Sequence, residues 1–136
     1  MIKKVDHIAV AVDSLDEAVE LFERTLGLRL TRRENAAGFD VETATFDLGD
    51  IGLELVEGTS EASEVRRFIR ARGPGLHHIA FVVDDIERSL ASLKAQGVRL
   101  IDERPRPGQG GSRVAFIHPR STRRVLIELV EPARKA

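Results

Sequence analysis

Four side chains that could bind a metal ion stand at matching points in the two halves of this sequence. His7 and His78 lie near the starts of apolar segments, and Glu54 and Glu128 lie near the ends of their halves. Imidazole nitrogens and carboxylate oxygens together suit divalent ions such as zinc, cobalt, nickel or manganese. If the two halves face each other, the pattern predicts a divalent-metal site formed by two histidines and two glutamates.

These halves are related by a repeat with a spacing of about 70 residues. The segment DHIA at 6–9 returns as HHIA at 77–80, GLRL at 27–30 returns as GVRL at 97–100, and LELVE at 53–57 returns as IELVE at 127–131. Two halves this short would each expose one face of a sheet. We therefore expect them to pack together as one domain spanning 1–136.

Each half is predicted to be a βαβββ module, which makes the fold class α+β. The first module spans about 4–58 and the second about 75–132, with a connecting helix at about 60–73. Periodicity, helix caps and glycine stops give the elements. In the first module they are a strand at 4–12, a helix at 15–26, and strands at 28–34, 40–48 and 51–57. In the second they are a strand at 77–83, a helix at 85–96, and strands at 98–103, 112–118 and 124–131.

Strand alternation places the predicted ligands on the face opposite the bulky aliphatic residues. His7 shares its face with two alanines, and Glu54 and Glu128 are each flanked by aliphatic residues that point the other way. Small neighbours leave room for a ligand on that face. His77 falls on the helix-packed side or at the strand edge, so His78 is the better candidate. The alternative is a structural role copied by duplication, because a single His or Glu in a strand is usually a core or solvent-facing residue.

The composition is that of an ordinary globular protein, with 42% hydrophobic and 32% charged residues and a net charge of −1. Nothing in this balance points to nucleic acid or to an anionic membrane surface. The sequence has no cysteine, which excludes disulfides and thiol catalysis. Its start, MIKKVDHIAVAV, indicates a first strand and not a signal peptide or a membrane span. A cytoplasmic location is therefore expected.

A glycine-rich segment precedes the last part of the second half and reads RPRPGQGGSRVAFIHPRSTRR at 104–124. Gly110 and Gly111 permit close approach of the backbone to a ligand, and Ser112 and Arg113 add hydrogen-bond donors. An ordinary hairpin loop is the alternative. The spacing matches neither a Walker nor a Rossmann motif.

The chain resembles the vicinal oxygen chelate superfamily and, within it, the methylmalonyl-CoA epimerases. The residues that carry this resemblance are DHIAVAV at 6–12, GLHHIAFVVDDI at 75–86, GVRLIDERPRPGQGGSRVAFIHP at 97–119 and VLIELVE at 125–131. The resemblance implies two βαβββ modules that form a cup-shaped, mostly antiparallel sheet, usually in a homodimer. It also implies a divalent metal ion held by His7, Glu54, His78 and Glu128, the residues that the repeat had already selected.

The activity that this resemblance implies is proton transfer at C2 of methylmalonyl-CoA, which interconverts its (2R) and (2S) forms. Glu128 is the first acid/base candidate. A second is expected on a strand near 40–46, where Glu42 is the candidate, although counting back from Glu54 without a gap places Thr43 at that point.

The CoA part of the substrate is expected to contact the glycine-rich segment. The candidate contacts are Gly110, Gly111, Ser112 and Arg113. Arg120 or Arg123 could meet a phosphate group.

Two alternative functions remain at this point. The first is a glyoxalase I-type isomerase, since Glu at position 54 is usual in bacterial enzymes of that kind and some epimerases have Gln there. The second is a metal-free binding protein of the same superfamily. The glycine-rich segment and the absence of a DPDG-like turn favour the epimerase over the glyoxalase, and the paired histidines and glutamates disfavour the binding protein.

Overall fold

Among residues 1–134, eight strands and three α-helices follow one another in the order expected for two βαβββ modules. The computed structural model describes residues 1–134, apart from the side chain of Ala37. The elements of the first module and the connecting helix are β1 (Ile2–Ala11), α1 (Leu15–Glu20), β2 (Arg29–Ala36), β3 (Val41–Asp47), β4 (Gly52–Gly58) and α2 (Glu64–Arg72). Those of the second are β5 (Gly75–Val83), α3 (Ile86–Ala95), β6 (Arg106–Pro107), β7 (Arg113–Ile117) and β8 (Ile127–Glu131).

The chain divides into two compact units. The first, which we call the N-terminal unit, comprises residues 7–77 and orders its strands β2-β3-β4-β1. The second, the C-terminal unit, comprises residues 1–6 and those from 78 onward and orders its strands β5-β8-β7-β6. Within each unit the first and last strands of the module pair in parallel, and the other pairs are antiparallel. Both units therefore have the same strand connectivity, as the repeat predicted.

One face of each unit's sheet is covered by a helix. In the N-terminal unit, α1 packs its Leu15 and Val19 against Phe46 and Leu55 of the strands. In the C-terminal unit, α3 uses Ile86 and Leu90 in the same way against Leu129 and its neighbours. The helix-covered faces are the aliphatic faces that alternation predicted. In the N-terminal unit, α2 also packs against part of the opposite face, where its Val65 forms a second apolar cluster with Val41 and Val56. The rest of that face carries polar side chains.

One predicted strand is wrong. The segment 98–103 forms only an isolated bridge, between Leu100 and Ile117. Beyond that bridge, the backbone N–H groups of Ile101 and Asp102 both donate to the carbonyl of Phe116. Pro105 and Pro107 follow and cannot donate to a strand partner. The strand β6 that finally pairs with β7 therefore has two residues only.

The final glutamate of each LELVE-type segment stabilises the start of a helix. Glu57 Oε1 accepts a hydrogen bond of 2.6 Å from the backbone N–H of Leu15. Glu131 Oε1 accepts one of 3.2 Å from the backbone N–H of Ile86. The first N–H groups of a helix have no partner within the helix, so these carboxylates satisfy donors that would otherwise lack one.

We expect Glu57→Ala to lower the free energy of unfolding by about 1–2 kcal/mol, because it leaves the Leu15 N–H without its charged acceptor. Urea denaturation would measure this loss. Glu23→Ala, at an exposed position within the turn that extends α1, is the control and should leave stability unchanged. Equal midpoints for the two variants would show that the Glu57 carboxylate does not stabilise the helix.

Candidate metal centre

In the N-terminal unit, the two predicted ligands lie on the face that α1 leaves uncovered. The parallel pairing of β1 and β4 places Gly52 opposite His7 and Ala9 opposite Glu54. A Cβ added to Gly52 would lie 3.6 Å from the Cβ of His7. Leu53 and the other flanking aliphatic residues belong to the core on the opposite face. The small residues beside His7 and Glu54 leave space for an ion or a substrate.

In the C-terminal unit, the two predicted ligands contact each other. Nε2 of His78 lies 3.1 Å from Oε1 of Glu128, and the two side chains are only 7% and 9% exposed. The ring of Phe116 packs edge-on against the imidazole of His78, with centroids 5.4 Å apart. His77 instead packs against Phe68, with centroids 4.9 Å apart. The preference for His78 over its neighbour is therefore consistent with the structure.

The registers of the two units match residue for residue. Ala9 lies opposite Glu54, and Ala80 lies opposite Glu128. In both units this alanine follows the histidine by two positions and therefore shares its face. In both units the glutamate thus lies opposite an alanine, whose small side chain leaves space on this face.

The donor set suits a divalent metal ion. In the N-terminal unit, His7 and Glu54 each offer one ligand atom, and these two atoms lie within 4.8 Å of each other. Nitrogen and oxygen donors in this combination fit borderline ions such as zinc, cobalt, nickel or manganese. In the C-terminal unit, His78 and Glu128 offer a second nitrogen and a second carboxylate oxygen, which lie 3.1 Å apart. The residues present therefore fit the metal ion that the sequence predicted.

The structure does not bring Glu42 to the face of Glu54. Glu42 shares its face of β3 with Ala44 and Phe46, which belong to the core against α1. Its carboxylate accepts a hydrogen bond of 2.6 Å from Arg33. This bond is the main cause that raises the pKa of Arg33 above its ordinary value. The placement expected for Glu42, opposite the substrate from Glu128, is corrected by this geometry.

Threonines take the positions on β3 that face the same way as Glu54. Thr45 lies directly opposite Glu54, and Thr43 lies opposite Val56. Thr43 is only 2% exposed. The hydroxyl of Thr45 is buried and has no hydrogen-bond partner among the described residues. A buried hydroxyl without a partner is costly, so its position beside Glu54 indicates room for a polar ligand there.

The glycine-rich segment forms a tight turn. Gly110 and Gly111 have φ values of 62° and 78°, which favour glycine. Ser112 donates a hydrogen bond of 2.7 Å from its hydroxyl to the Gln109 carbonyl within the same turn. A Cβ on Gly108 would come within 2.5 Å of that hydroxyl oxygen, so the close packing of the turn requires glycine there.

This turn borders a groove of about 810 Å³ between α3 and the segment 103–113. Gly111, Ser112 and Arg113 line the groove together with Leu90 and Lys94. Gly110 is not among its lining residues. Three of the four predicted CoA contacts therefore lie along one surface of the C-terminal unit.

Arg113 is already held by two carboxylates. Its Nε donates a hydrogen bond of 2.9 Å to Glu131, and its Nη1 donates one of 2.9 Å to Glu87. These bonds, that to Glu131 foremost, raise the pKa of Arg113 above its ordinary value. The guanidinium stays charged, but its charge is largely balanced and it has less to offer a phosphate group.

A second set of arginines carries unbalanced charge. Arg120, Arg123 and Arg124 lie in the exposed turn before β8, and the structure shows no ion pair for any of them within residues 1–134. Arg99 joins them because its carbonyl accepts from the His118 N–H and its N–H donates to the Ser121 hydroxyl. Sequence reasoning named Arg120 and Arg123 but missed the other two, since only the folded turn brings Arg99 beside it.

Comparison with known proteins agrees with this description. The sequence matches the family model of the Glyoxalase/Bleomycin resistance protein/Dioxygenase superfamily over residues 6–116. The chain belongs to this superfamily. The resemblance to a vicinal oxygen chelate protein is thereby confirmed.

Within the superfamily, several similar proteins are known. The uncharacterized protein YqjC of Bacillus subtilis is 42% identical over 129 residues, which cover 95% of this chain and 92% of that protein. The mitochondrial methylmalonyl-CoA epimerase of Dictyostelium discoideum is 34% identical over 131 residues, which cover 96% of this chain and 79% of that protein.

One solved structure is especially close in fold. It is a variant of the Streptomyces coelicolor methylmalonyl-CoA epimerase, with a glutamate replaced by glutamine, in complex with 2-nitronate-propionyl-CoA. It superposes with a TM-score of 0.94 at 34% identity, over 98% of this chain and 100% of that one. The predicted α+β fold of this superfamily is confirmed by this superposition. Among residues 1–134, no helix is long and apolar enough to cross a membrane.

Proposed function

We propose that this protein is a metal-dependent epimerase that interconverts (2R)- and (2S)-methylmalonyl-CoA. The observation that carries the proposal is the histidine–glutamate arrangement, present in the same register in both units. The similarity to methylmalonyl-CoA epimerases, in sequence and in fold, supports this choice of reaction within the superfamily. The substrate class is accordingly an acyl-CoA.

We assign the metal ion to His7, Glu54, His78 and Glu128. When bound, such an ion would neutralise negative charge that develops on the thioester oxygen as C2 loses its proton. The chain itself contributes the two pairs of ligands and the small alanines beside them. The low exposure of His78 and Glu128 keeps water away from their donor atoms and strengthens their electrostatic interactions.

Glu128 is the proposed acid/base on one side of the substrate. Its carboxylate takes the proton from C2, the C–H electron pair moves to form an enediolate, and a proton returned to the other side of C2 completes the inversion. His78 lies 3.1 Å from Glu128 and holds the carboxylate in place. Glu128 serves both as a ligand and as a base, so we expect the base to act through the oxygen that does not face His78.

The turn with unbalanced arginines is the proposed anchor for the phosphate groups of CoA. An acyl-CoA carries several negative charges, and a cluster of arginines without acidic partners is suited to bind them. Arg123 and Arg124 both have positive φ values, 57° and 71°. Non-glycine residues pay about 1 kcal/mol for that conformation. Retaining arginine at strained positions is consistent with a binding role.

The double variant Arg123→Gly/Arg124→Gly is expected to raise KM for methylmalonyl-CoA about tenfold and leave kcat unchanged. Two exposed charge-assisted contacts together contribute about 1.4 kcal/mol, which is one factor of ten. Because glycine accepts positive φ, the variant should also unfold at a higher temperature than the wild type. Steady-state kinetics and calorimetry measure the two effects.

The matched control for that variant is Arg24→Gln/Arg67→Gln, which removes the same charge from two exposed helical positions of the N-terminal unit. It should leave KM unchanged at physiological salt. An unchanged KM in the glycine variant, or an equal rise in the control, would contradict the anchor.

The proposal as a whole is tested by proton exchange at C2. Methylmalonyl-CoA is incubated in deuterated water with the cobalt-supplied protein and followed by NMR, then again after chelation. We expect metal-dependent exchange and epimerisation. No exchange with metal-loaded protein, together with turnover of the hemithioacetal of glutathione, would instead establish a glyoxalase I-type isomerase. Failure to take up any divalent ion would favour a binding protein.

A homodimer is also proposed, because the resemblance to the epimerases implies one. Sedimentation velocity at several protein concentrations measures the assembly state. A species of about 15 kDa at every concentration would contradict the dimer, since the chain mass is 15.0 kDa.

A further inference from the structure

Inversion at C2 needs a proton-transfer group on each side of that carbon, and Glu128 supplies one side only. The strand expected to supply the second group does not do so. Glu42 turns to the face covered by α1, and Thr43 occupies the facing position. A threonine hydroxyl is too weak a base to take a proton from C2 at neutral pH. The second group would therefore lie outside β3.

The register of β2 brings a different glutamate to this face. Glu34 pairs with Thr43 and Arg32 pairs with Thr45, after an irregularity between Leu30 and Arg32. Directly paired residues of antiparallel strands project to the same side of the sheet. Glu34 therefore shares the face of Thr43 and of Glu54, one strand beyond the position where a carboxylate was expected.

The carboxylate of Glu34 is only partly engaged. Its side chain is 34% exposed, and Arg32 Nε lies 3.1 Å from its Oε1. That contact lacks hydrogen-bond geometry, and Oε1 is buried without a hydrogen-bond partner among the described residues. A buried carboxylate oxygen without a hydrogen bond is rare in a folded protein. It is in a position to accept a proton or a hydrogen bond from a ligand over this face.

The comparison of the two units supports a role for this corner. The positions that correspond to Thr43 and Thr45 are Val114 and Phe116, since these pair with β8 as the threonines pair with β4. The N-terminal unit thus carries hydroxyls where its repeat carries apolar side chains. A polar ligand would therefore find hydrogen-bonding groups on the face of the N-terminal unit that carries Glu34.

One other acidic residue of these strands projects from the same face, and its carboxylate already has partners. Asp47 ends β3, and its Oδ1 accepts a hydrogen bond of 2.9 Å from the Gly49 N–H in the following turn. Its Oδ2 lies 3.8 Å from Arg29. Among the strands β1–β4, the carboxylates on this face that no turn holds are those of Glu34 and Glu54.

We propose that Glu34 is the second proton-transfer residue. The proposal rests on the epimerase function proposed above. In one direction Glu128 takes the proton from C2 and Glu34, as the carboxylic acid, returns one to the other side of the enediolate. In the reverse direction Glu34 takes the proton and Glu128 returns it. No oxidant or further reactant is required.

The test follows deuterium entry into each epimer separately, in deuterated water with cobalt supplied. The wild type should epimerise and exchange both epimers. Glu34→Gln should slow epimerisation about 100-fold or more, with KM unchanged, yet retain exchange of the one epimer whose proton faces Glu128. Glu34→Asp should recover part of the lost rate. Glu23→Gln is the charge-matched control and should behave as the wild type.

Two readouts separate this proposal from a structural role and from the proposed function itself. Far-UV circular dichroism and cobalt affinity should be the same in Glu34→Gln and in the wild type. Wild-type epimerisation by Glu34→Gln would overturn the role of Glu34 and leave the epimerase function standing. Loss of exchange from both epimers together with loss of the fold would do the same, because it would show that Glu34 has a structural role. A rate loss in Glu42→Gln, with Glu34→Gln unaffected, would return the role to Glu42. Absence of exchange in the metal-loaded wild type would overturn both proposals.

Discussion

Glu128→Gln is expected to lower turnover of methylmalonyl-CoA about 100-fold or more while the protein stays folded. The amide has nearly the shape of the carboxylate but cannot accept a proton, and general acid–base catalysis contributes about 10²–10⁴-fold. The side chain is almost fully buried beside His78, where an amide can still make a hydrogen bond. We therefore expect the free energy of unfolding to change by about 1 kcal/mol at most.

Steady-state kinetics on the purified variant measures this loss, and calorimetry checks the fold. Glu103→Gln is the control, since Glu103 is an exposed carboxylate of the same unit that pairs with Lys94. Isothermal titration with cobalt separates the loss of a base from the loss of a metal ligand. If Glu128 acts as a base, turnover stays low even when the variant is saturated with cobalt. Undiminished turnover by Glu128→Gln would remove Glu128 from the chemistry.

The second large effect is expected from His78→Ala, which should abolish most of the stabilisation that a divalent ion gives. An ion present at about 1,000 times its Kd stabilises the folded state by about 4.1 kcal/mol. If the loss of one imidazole weakens binding about 100-fold, about 2.7 kcal/mol of that stabilisation disappears. Thermal unfolding with and without cobalt, and with a chelator, measures the increment.

The neighbouring histidine provides a matched control for that experiment. His77→Ala removes an identical side chain, one that packs on Phe68. This variant should lose some stability without metal, but adding cobalt should stabilise it as much as it stabilises the wild type. An equal increment in the wild type and in His78→Ala would contradict the assignment of His78 as a ligand.

The faces of the strands could be predicted from the sequence because alternation is a local property. Leu53 and Ile127 alternate with the glutamates, and this alone indicates which side of the sheet the helix covers. The repeat then selected the same two candidate ligand positions in each half. Nothing beyond the order of residues was needed for that part of the candidate site.

The second acid/base residue could not be predicted in the same way. Choosing between Glu42 and Thr43 requires the register of β3 to within one residue, and each choice reverses the face. Finding Glu34 requires more, because it lies on β2 and reaches this face through its pairing with Thr43. The irregularity before Arg32 shifts that pairing, and the sequence contains no clear signal for it.

Interactions between distant segments were missed for the same reason. Glu57 reads as an ordinary strand residue, yet it accepts a hydrogen bond from Leu15, which lies 42 positions earlier. The failed strand at 98–103 has alternating aliphatic residues, but the prolines that follow leave little backbone for pairing. Local patterns contain neither kind of information.

The shared register of the two units has a consequence for how this protein tolerates changes in length. Glu54 lies two residues after Gly52, which pairs with His7. Glu54 and His7 therefore project from the same face of the sheet. A single residue inserted into β4 or β8 would turn the glutamate toward the helix and bring a leucine or isoleucine to the proposed metal site. Insertions in the turn at 48–51 leave this parity intact. Insertion scanning should therefore find the central strands intolerant of even one extra residue and the turns permissive, so that length can change at the turns and not in the strands that carry the proposed ligands.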